Sequence, residues 1–277
     1  MGMNRPVRRS PTRGLPLRAV APNAVTALAL CSGLTGIRFA ISGQWETAVL
    51  MVMIASVLDG IDGRIARMVR GESRFGAELD SLSDAISFGV SPALILYLWS
   101  LKDLPRLGWL CSLIFAVFCA LRLARFNAAI DVAEQPHKSA GFLTGAPSPV
   151  GAGLAMLPLY LWFWTGMDFW RSPLLVAPWV ALMALLMVSS IATFSWSSLR
   201  LRTHIRFEAI AFVVLLGAAL ISAPWHTLTF LCVAYLATLP FSVAAYNRVK
   251  RLRGLPGATV PEQTVPAPAT EPGALEP

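Results

Sequence analysis

Long apolar stretches separated by short polar segments recur along most of the chain. Eight of them are candidates for membrane-spanning helices, because a helix needs about 20 mainly apolar residues to cross the hydrocarbon of a bilayer. They cover residues 22–42, 45–68, 79–101, 107–127, 149–167, 172–194, 207–223 and 225–246. The pattern predicts an all-α, polytopic membrane helix bundle of about eight transmembrane helices over residues 22–247. Residues 1–21 are predicted to be a basic arm, and residues 248–277 a disordered Pro-rich tail.

Composition and charge placement support a membrane protein and orient it. The chain is 56% hydrophobic with a mean hydropathy of +0.62, and only 14% of its residues are charged, against about 25% in an ordinary soluble domain. With a cytoplasmic N-terminus, the opposite membrane face holds only Arg38, Lys102, Arg106 and Arg171 of the 23 lysines and arginines. This positive-inside pattern predicts that both termini are cytoplasmic. The net charge of +8 then follows from topology and anionic lipid headgroups, without a nucleic acid partner.

Four aspartates lie where the chain is expected to cross the bilayer. Residues 45–58 are too short to span it, so the second helix must continue through Asp59 and Asp62. The third span needs Asp80 and Asp84 in its first turns for the same reason. Carboxylates at such depth are costly, and an intramembrane cluster of them indicates a functional site. The charge pattern places this site just under the cytoplasmic face of the membrane.

The polar and small residues of these two spans fall on one face of each helix. The first set is Asp59, Asp62 and Ala66 with Gly63 beside them, and the second is Gly76, Asp80 and Asp84. A short cytoplasmic turn at about residues 69–75 makes the two helices antiparallel neighbours, so the two faces are expected to meet.

Converging carboxylates repel one another in a low dielectric unless cations share the site. Hard oxygen ligands favour Mg²⁺ or Mn²⁺, and four carboxylates suffice for two divalent cations, an arrangement that stabilises the attacking and leaving oxygens in phosphoryl transfer. Gly63, Ala66 and Gly76 leave room for a bulky ligand to approach the backbone, and Arg67 can neutralise a phosphate. These features predict a phospholipid substrate whose phosphate lies at this depth.

The pattern D-x-x-D-G-x-x-A-R-x8-G-x3-D-x3-D, from Asp59 to Asp84, resembles the signature of the CDP-alcohol phosphotransferase family and matches it without departure. Residues 73–89, 122–127 and 145–149 are similar to the bacterial membrane-integral phosphatidylserine synthases within that family. The resemblance implies that CDP-diacylglycerol and L-serine react to give phosphatidylserine and CMP. It also implies an active site at the cytoplasmic face of a bacterial-type cytoplasmic membrane.

The resemblance further implies roles for individual residues. Asp59, Asp62 and Asp80 would hold one divalent cation, while Asp59, Asp80 and Asp84 would hold a second. Asp84 would also accept the proton of the serine hydroxyl. The residues expected to contact the CDP-lipid are Gly63, Ala66 and Arg67, with Gly76 allowing close approach.

The residues that recognise the acceptor are less well defined. Arg122, Arg125 and Asn127 end the fourth span on the cytoplasmic side, and Lys138 lies in the following loop. Their functional interpretation is binding of a phosphate or of the serine carboxylate, which suits a guanidinium group. The alternative is that the arginines only anchor the helix at the membrane interface.

Other functions stay open beside transfer to serine. The same chemistry with glycerol 3-phosphate, an inositol phosphate or choline is the nearest alternative, because the signature does not encode the acceptor. An ion-coupled transporter also uses intramembrane carboxylates, but these four cluster at one face and the opposite half of the bundle offers almost no charge. A homodimer also stays open.

The cysteines and histidines add no further site. Each of the four cysteines lies singly in an apolar span, which is not the spacing of a zinc site or a disulfide framework. The three histidines fall in different loops.

Overall fold

The computed structural model describes residues 17–69, 73–130, 142–144, 146–189, 192–194 and 206–253. Apart from one pair of short strands, the regular structure in these ranges is helical. The helices are α1 (Leu17–Ile41), α2 (Trp45–Met68), α3 (Arg74–Asp84), α4 (Ser91–Trp99), α5 (Leu107–Ile130), α6 (Ser148–Ala155), α7 (Leu157–Thr165), α8 (Pro173–Val188), α9 (Arg206–Ser222) and α10 (Pro224–Arg253). The strands β1 (Phe142–Thr144) and β2 (Ala192–Phe194) pair antiparallel.

Helices α3 and α4 form one continuous rod, because the π-helical segment Ala85–Val90 joins them. Ser73 caps the start of the rod, and its hydroxyl accepts a hydrogen bond from the Gly76 backbone N–H at 3.0 Å. The rod ends at Trp99 and is followed by a short 3₁₀ turn, Leu101–Asp103. Asp84 is the last residue of the signature and the last residue before the π-helical segment, so the change from α-helical to π-helical geometry begins directly after the signature.

Among the described residues, three helical segments are long and apolar enough to cross a membrane: Val20–Ile41, Arg74–Trp99 and Leu107–Ala128. The described helices lie close to the eight predicted spans, but the count of eight crossings and the cytoplasmic placement of both termini stay predictions. Helix α2 has a similar length, and its last turns carry the charged residues of the signature. The fifth predicted span is divided at Met156 into α6 and α7.

Several boundaries differ from the predicted ones. The sixth span was expected to reach residue 194, but α8 ends at Val188 and residues 192–194 form β2, which is the exception to the predicted all-α class. Helix α10 continues to Arg253, past the predicted start of the tail at residue 248. No Gly or Pro interrupts the chain there before Gly254, and lysines and arginines are favourable in the last turn of a helix. Residues 1–16 and 254–277, the rest of the predicted arm and tail, lie outside the described residues.

Helix α1 packs along α2 on one side and along the rod of α3 and α4 on the other. Three serines of the rod donate hydrogen bonds to backbone carbonyls of α1: Ser83 to Thr26 at 3.3 Å, Ser87 to Ala29 at 3.3 Å, and Ser91 to Gly33 at 2.8 Å. A Cβ atom at Gly33 would lie 2.5 Å from the Ser87 hydroxyl, so glycine is required for this close packing. Helix α5 covers the other side of the π-helical segment and also packs against α8.

Candidate active site

The aspartates of α2 and α3 meet in one cluster. Carboxylate oxygens of Asp59, Asp62 and Asp80 lie within 4.8 Å of one another. The Asp84 carboxyl lies close to that of Asp59 and interacts with it, which adds the fourth aspartate of the signature to the group. The expectation that the two helical faces meet is therefore confirmed. Asp62 is the most enclosed of the three clustered residues and is only 4% exposed.

The donor set of this cluster fits a divalent cation. All of its side-chain donors are carboxylate oxygens, the hard ligands that Mg²⁺ and Mn²⁺ prefer. Two oxygens bound to one Mg²⁺ at about 2.1 Å each are at most about 4.2 Å apart. The observed spread of 4.8 Å therefore needs only small side-chain movements to place three oxygens around one ion.

A cavity of about 260 Å³ opens beside the cluster, between the start of α1, the end of α2 and the start of α3. These are the helix ends predicted to face the cytoplasm. Its lining residues are Pro22, Asn23, Thr26, Asp62, Gly63, Ala66, Ser73, Gly76, Ala77 and Asp80. Three residues predicted to contact the CDP-lipid, Gly63, Ala66 and Gly76, are thus brought to one cavity together with two of the aspartates. The cavity can hold a polar group in contact with both the carboxylates and exposed backbone.

Arg67, the fourth predicted contact, is exposed and is not among the residues that line the cavity. Its Nη1 atom lies 3.8 Å from the position that a Cβ atom would take at Gly63. Since Gly63 lines the cavity, the guanidinium lies at its rim, where it can meet the charge of a bound phosphate.

Helix α1 contributes two polar side chains that the sequence interpretation assigned to no role. The Thr26 hydroxyl donates a hydrogen bond to Asp62 Oδ2 at 2.6 Å. Asn23 Oδ1 occupies the space above Gly76, where a Cβ atom would lie only 2.8 Å from it. Gly76, expected to allow close approach of a ligand, lines the cavity and also makes room for α1. The available signal was an Asn and a Thr three residues apart, hence on one helical face, near the start of the mainly apolar first span.

Arg122 on α5 is partly buried and contacts the start of α6. Its positive charge acts on Asp84, and its Nη1 atom donates a hydrogen bond to the Ser148 hydroxyl at the start of α6. The Nε atom is buried and has no hydrogen-bond partner within the described parts of the chain. Arg122 therefore places a cation within electrostatic range of Asp84.

Arg125 and Asn127, two other predicted acceptor residues, have partners of their own. Arg125 is exposed, and its Nη1 atom donates to the Val188 carbonyl at the end of α8 at 3.2 Å, a favourable position for a cation. Asn127 donates through Nδ2 to the Ser81 hydroxyl at 2.8 Å and so joins α5 to α3. Lys138 lies outside the described residues. Although Arg122 and Arg125 are one helical turn apart, the structure gives them different partners.

Known proteins match this chain over most of its length. The family model described as CDP-alcohol phosphatidyltransferase matches residues 19–196, and a second one, CDP-alcohol phosphatidyltransferase 2, matches residues 204–240. The first match covers well over half of the chain, including every aspartate of the cluster. The chain belongs to the CDP-alcohol phosphatidyltransferase family, which confirms the family predicted from the signature.

Curated relatives within this family carry a more specific name, CDP-diacylglycerol–serine O-phosphatidyltransferase. The relative from Mycobacterium tuberculosis is 38% identical over 233 residues, which are 83% of this chain and 80% of the relative. That from Mycobacterium leprae is 37% identical over 226 residues, 81% of this chain and 74% of the relative. That from Helicobacter pylori is 39% identical over 140 residues, 50% of this chain and 57% of the relative.

Proposed function

We propose that this protein transfers the phosphatidyl group of CDP-diacylglycerol to the hydroxyl of L-serine, forming phosphatidylserine and releasing CMP. The main support is the cluster of signature aspartates beside a cavity. Small residues of the same signature line that cavity. The names of the relatives support serine as the acceptor. The apolar helices support a membrane protein, and we place the site at the cytoplasmic face of the cytoplasmic membrane, as the distribution of lysines and arginines favours.

The cavity beside Asp62 and Asp80 is the proposed site for the CDP part of the donor. Gly63 and Ala66 expose the α2 backbone to it, because neither has a side chain beyond Cβ, and Arg67 lies at its rim. A guanidinium there can form charge-assisted hydrogen bonds with a phosphate. The acyl chains of the donor stay in the bilayer, so the residues of this cavity need to hold and orient only the polar end of the lipid.

Asp59, Asp62 and Asp80 are the proposed ligands of one divalent cation, and Asp59, Asp80 and Asp84 those of a second. When bound, Mg²⁺ or Mn²⁺ supplies charge neutralisation for the phosphates and for the leaving CMP. Asp84 is the proposed base. It takes the proton from the serine hydroxyl as that oxygen forms a bond to the lipid-bearing phosphorus and the bond from phosphorus to the CMP oxygen breaks.

Arg122 is the proposed partner of the serine carboxylate. Serine, unlike glycerol 3-phosphate or choline, presents a carboxylate and an ammonium to the enzyme, so its pocket needs a fixed cation near the base. The Arg122 guanidinium interacts electrostatically with Asp84 and is held by the Ser148 hydroxyl. Its Nε, which has no hydrogen-bond partner among the described residues, is the proposed donor to the substrate, and a charge-assisted bond there would fix the serine hydroxyl beside Asp84.

Product analysis with purified protein tests this function. Protein reconstituted with CDP-diacylglycerol, labelled L-serine and Mn²⁺ is expected to form labelled phosphatidylserine and CMP in equal amounts. An Asp59→Asn variant, which weakens a ligand assigned to both cations, should form neither product while still inserting into membranes. Release of CMP without labelled lipid would contradict the proposal, because it would show hydrolysis of the donor instead of transfer to serine.

A further inference from the structure

Thr26 on α1 contacts both of the segments that carry the signature aspartates. Its hydroxyl lies 2.6 Å from Asp62 Oδ2 on α2. Its backbone carbonyl accepts a hydrogen bond from the Ser83 hydroxyl on α3 at 3.3 Å, one residue before Asp84. The Thr26 side chain is 5% exposed and Asp62 is 4% exposed, so water competes little for these bonds.

The hydroxyl of Thr26 has a choice of two acceptors. Threonine in a helix commonly bonds the carbonyl four residues earlier, and that of Pro22 lies at 3.1 Å. The contact to Asp62 is shorter, and a charged acceptor forms the stronger bond. Because a hydroxyl has a single proton, we assign it to Asp62. Thr26 therefore supplies the side-chain hydrogen bond that holds the Asp62 carboxylate.

We propose that Thr26 is a positioning residue of the active site, which fixes the orientation of the Asp62 carboxylate for binding a divalent cation. The inference rests on the proposed function insofar as Asp62 is taken to be a ligand. Donors that hold a ligating side chain contribute to metal affinity, and their loss typically weakens affinity or activity about 10- to 100-fold. Helix α1 is therefore part of the catalytic architecture, although it contributes no residue of the signature.

Two variants of Thr26 separate its hydroxyl from its packing. Thr26→Val keeps the shape and removes the donor, whereas Thr26→Ser keeps the donor and removes one methyl group. Ser91 lies seven residues after Asp84, and Ser91→Ala is a matched control, because it deletes a hydrogen bond of 2.8 Å to the Gly33 carbonyl of the same helix α1. It touches no aspartate.

Two quantities are measured for each purified variant. Mn²⁺ binding is detected by electron paramagnetic resonance of the free ion, and stability is measured as the midpoint of thermal unfolding. We expect Thr26→Val to weaken Mn²⁺ binding at least about tenfold. Thr26→Ser and Ser91→Ala should bind Mn²⁺ like the wild type, even where the unfolding midpoint falls.

Equal Mn²⁺ binding by Thr26→Val and the wild type would overturn the inference. So would an equal weakening in Ser91→Ala, because the effect would then belong to packing of α1 in general. If Thr26→Val does not fold, Thr26→Ser still decides: loss of Mn²⁺ binding with the hydroxyl retained would overturn the positioning role, and normal binding would support it. The proposed function is tested separately: it fails if the wild type makes no phosphatidylserine. The comparison of Mn²⁺ affinities uses no serine, so its outcome does not depend on that result.

Discussion

Adding one methyl group at Gly76 tests how closely α1 is packed into the site. A Cβ atom there would lie 2.8 Å from Asn23 Oδ1 and 3.2 Å from the Ser73 hydroxyl, and the first distance is too short for a carbon–oxygen contact. Overpacking of this kind costs about 1–3 kcal/mol. The Asn23 amide can rotate, so we expect the lower part of that range, about 1–2 kcal/mol, which is a factor of about 5–30 in an equilibrium.

The cost of Gly76→Ala should appear in binding of CDP-diacylglycerol. Asn23 and Gly76 both line the cavity, so a displaced amide turns into the space proposed for the nucleotide. The assay is the dissociation constant of CDP-diacylglycerol for purified protein in micelles, which should rise about 5- to 30-fold. Gly60→Ala is the matched control, because a Cβ atom at Gly60, directly after Asp59, meets nothing within 4 Å. It should leave the affinity unchanged.

A double variant identifies the atom responsible. If Asn23 is the obstacle, Gly76→Ala should have little effect when Asn23→Ala is already present, so the two changes should not be additive. Wild-type affinity in the single Gly76→Ala variant would refute the close packing of α1. Full additivity in the double variant would show instead that the methyl group acts through the Ser73 cap.

Three further predictions address the chemistry. Excess EDTA should abolish phosphatidylserine formation and added Mn²⁺ or Mg²⁺ should restore it, because the clustered carboxylates need cations; full turnover in EDTA would remove the metal ions from the account. Asp84→Asn should slow turnover at saturating substrates about 10²-fold or more, while the variant still binds CDP-diacylglycerol. If the variant instead lost CDP-diacylglycerol binding and kept the wild-type rate at saturation, Asp84 would be a structural or metal-holding residue only. Arg122→Ala should raise the KM for serine roughly tenfold to over a hundredfold, the loss expected for a charge-assisted bond of ~1.5–3 kcal/mol. Arg125→Ala, which removes a bond to the end of α8, should change the KM for serine less. Equal KM values in both variants would contradict the assignment of Arg122.

Local rules of the sequence predicted much of this structure. Helix positions followed from apolar length, and the meeting of Asp62 with Asp80 followed from helical spacing across a short turn. The division at Met156 and the pairing of β1 with β2 did not follow. The two strands are far apart in the chain, and neither has the length or the alternation that identifies a strand from sequence.

The part of the site that escaped prediction depends on contacts between distant residues. Thr26 is 36 residues from Asp62, and a lone threonine in an apolar helix more commonly bonds its own backbone. Arg122 and Arg125 share a helical spacing, but α6 and α8 supply them with different partners. Spacing along one helix predicts a shared face, and it does not predict which neighbouring helix covers that face.

A comparison of acceptor alcohols tests the proposed transfer to serine most directly. Purified protein with CDP-diacylglycerol and Mn²⁺ should be offered labelled L-serine, glycerol 3-phosphate, inositol phosphate and choline in separate reactions, and the labelled lipid should be quantified. We expect rapid labelling of lipid with serine and little with the other three. Labelling by one of the others in preference to serine would contradict it, and would reassign the cation near Asp84 to a different acceptor.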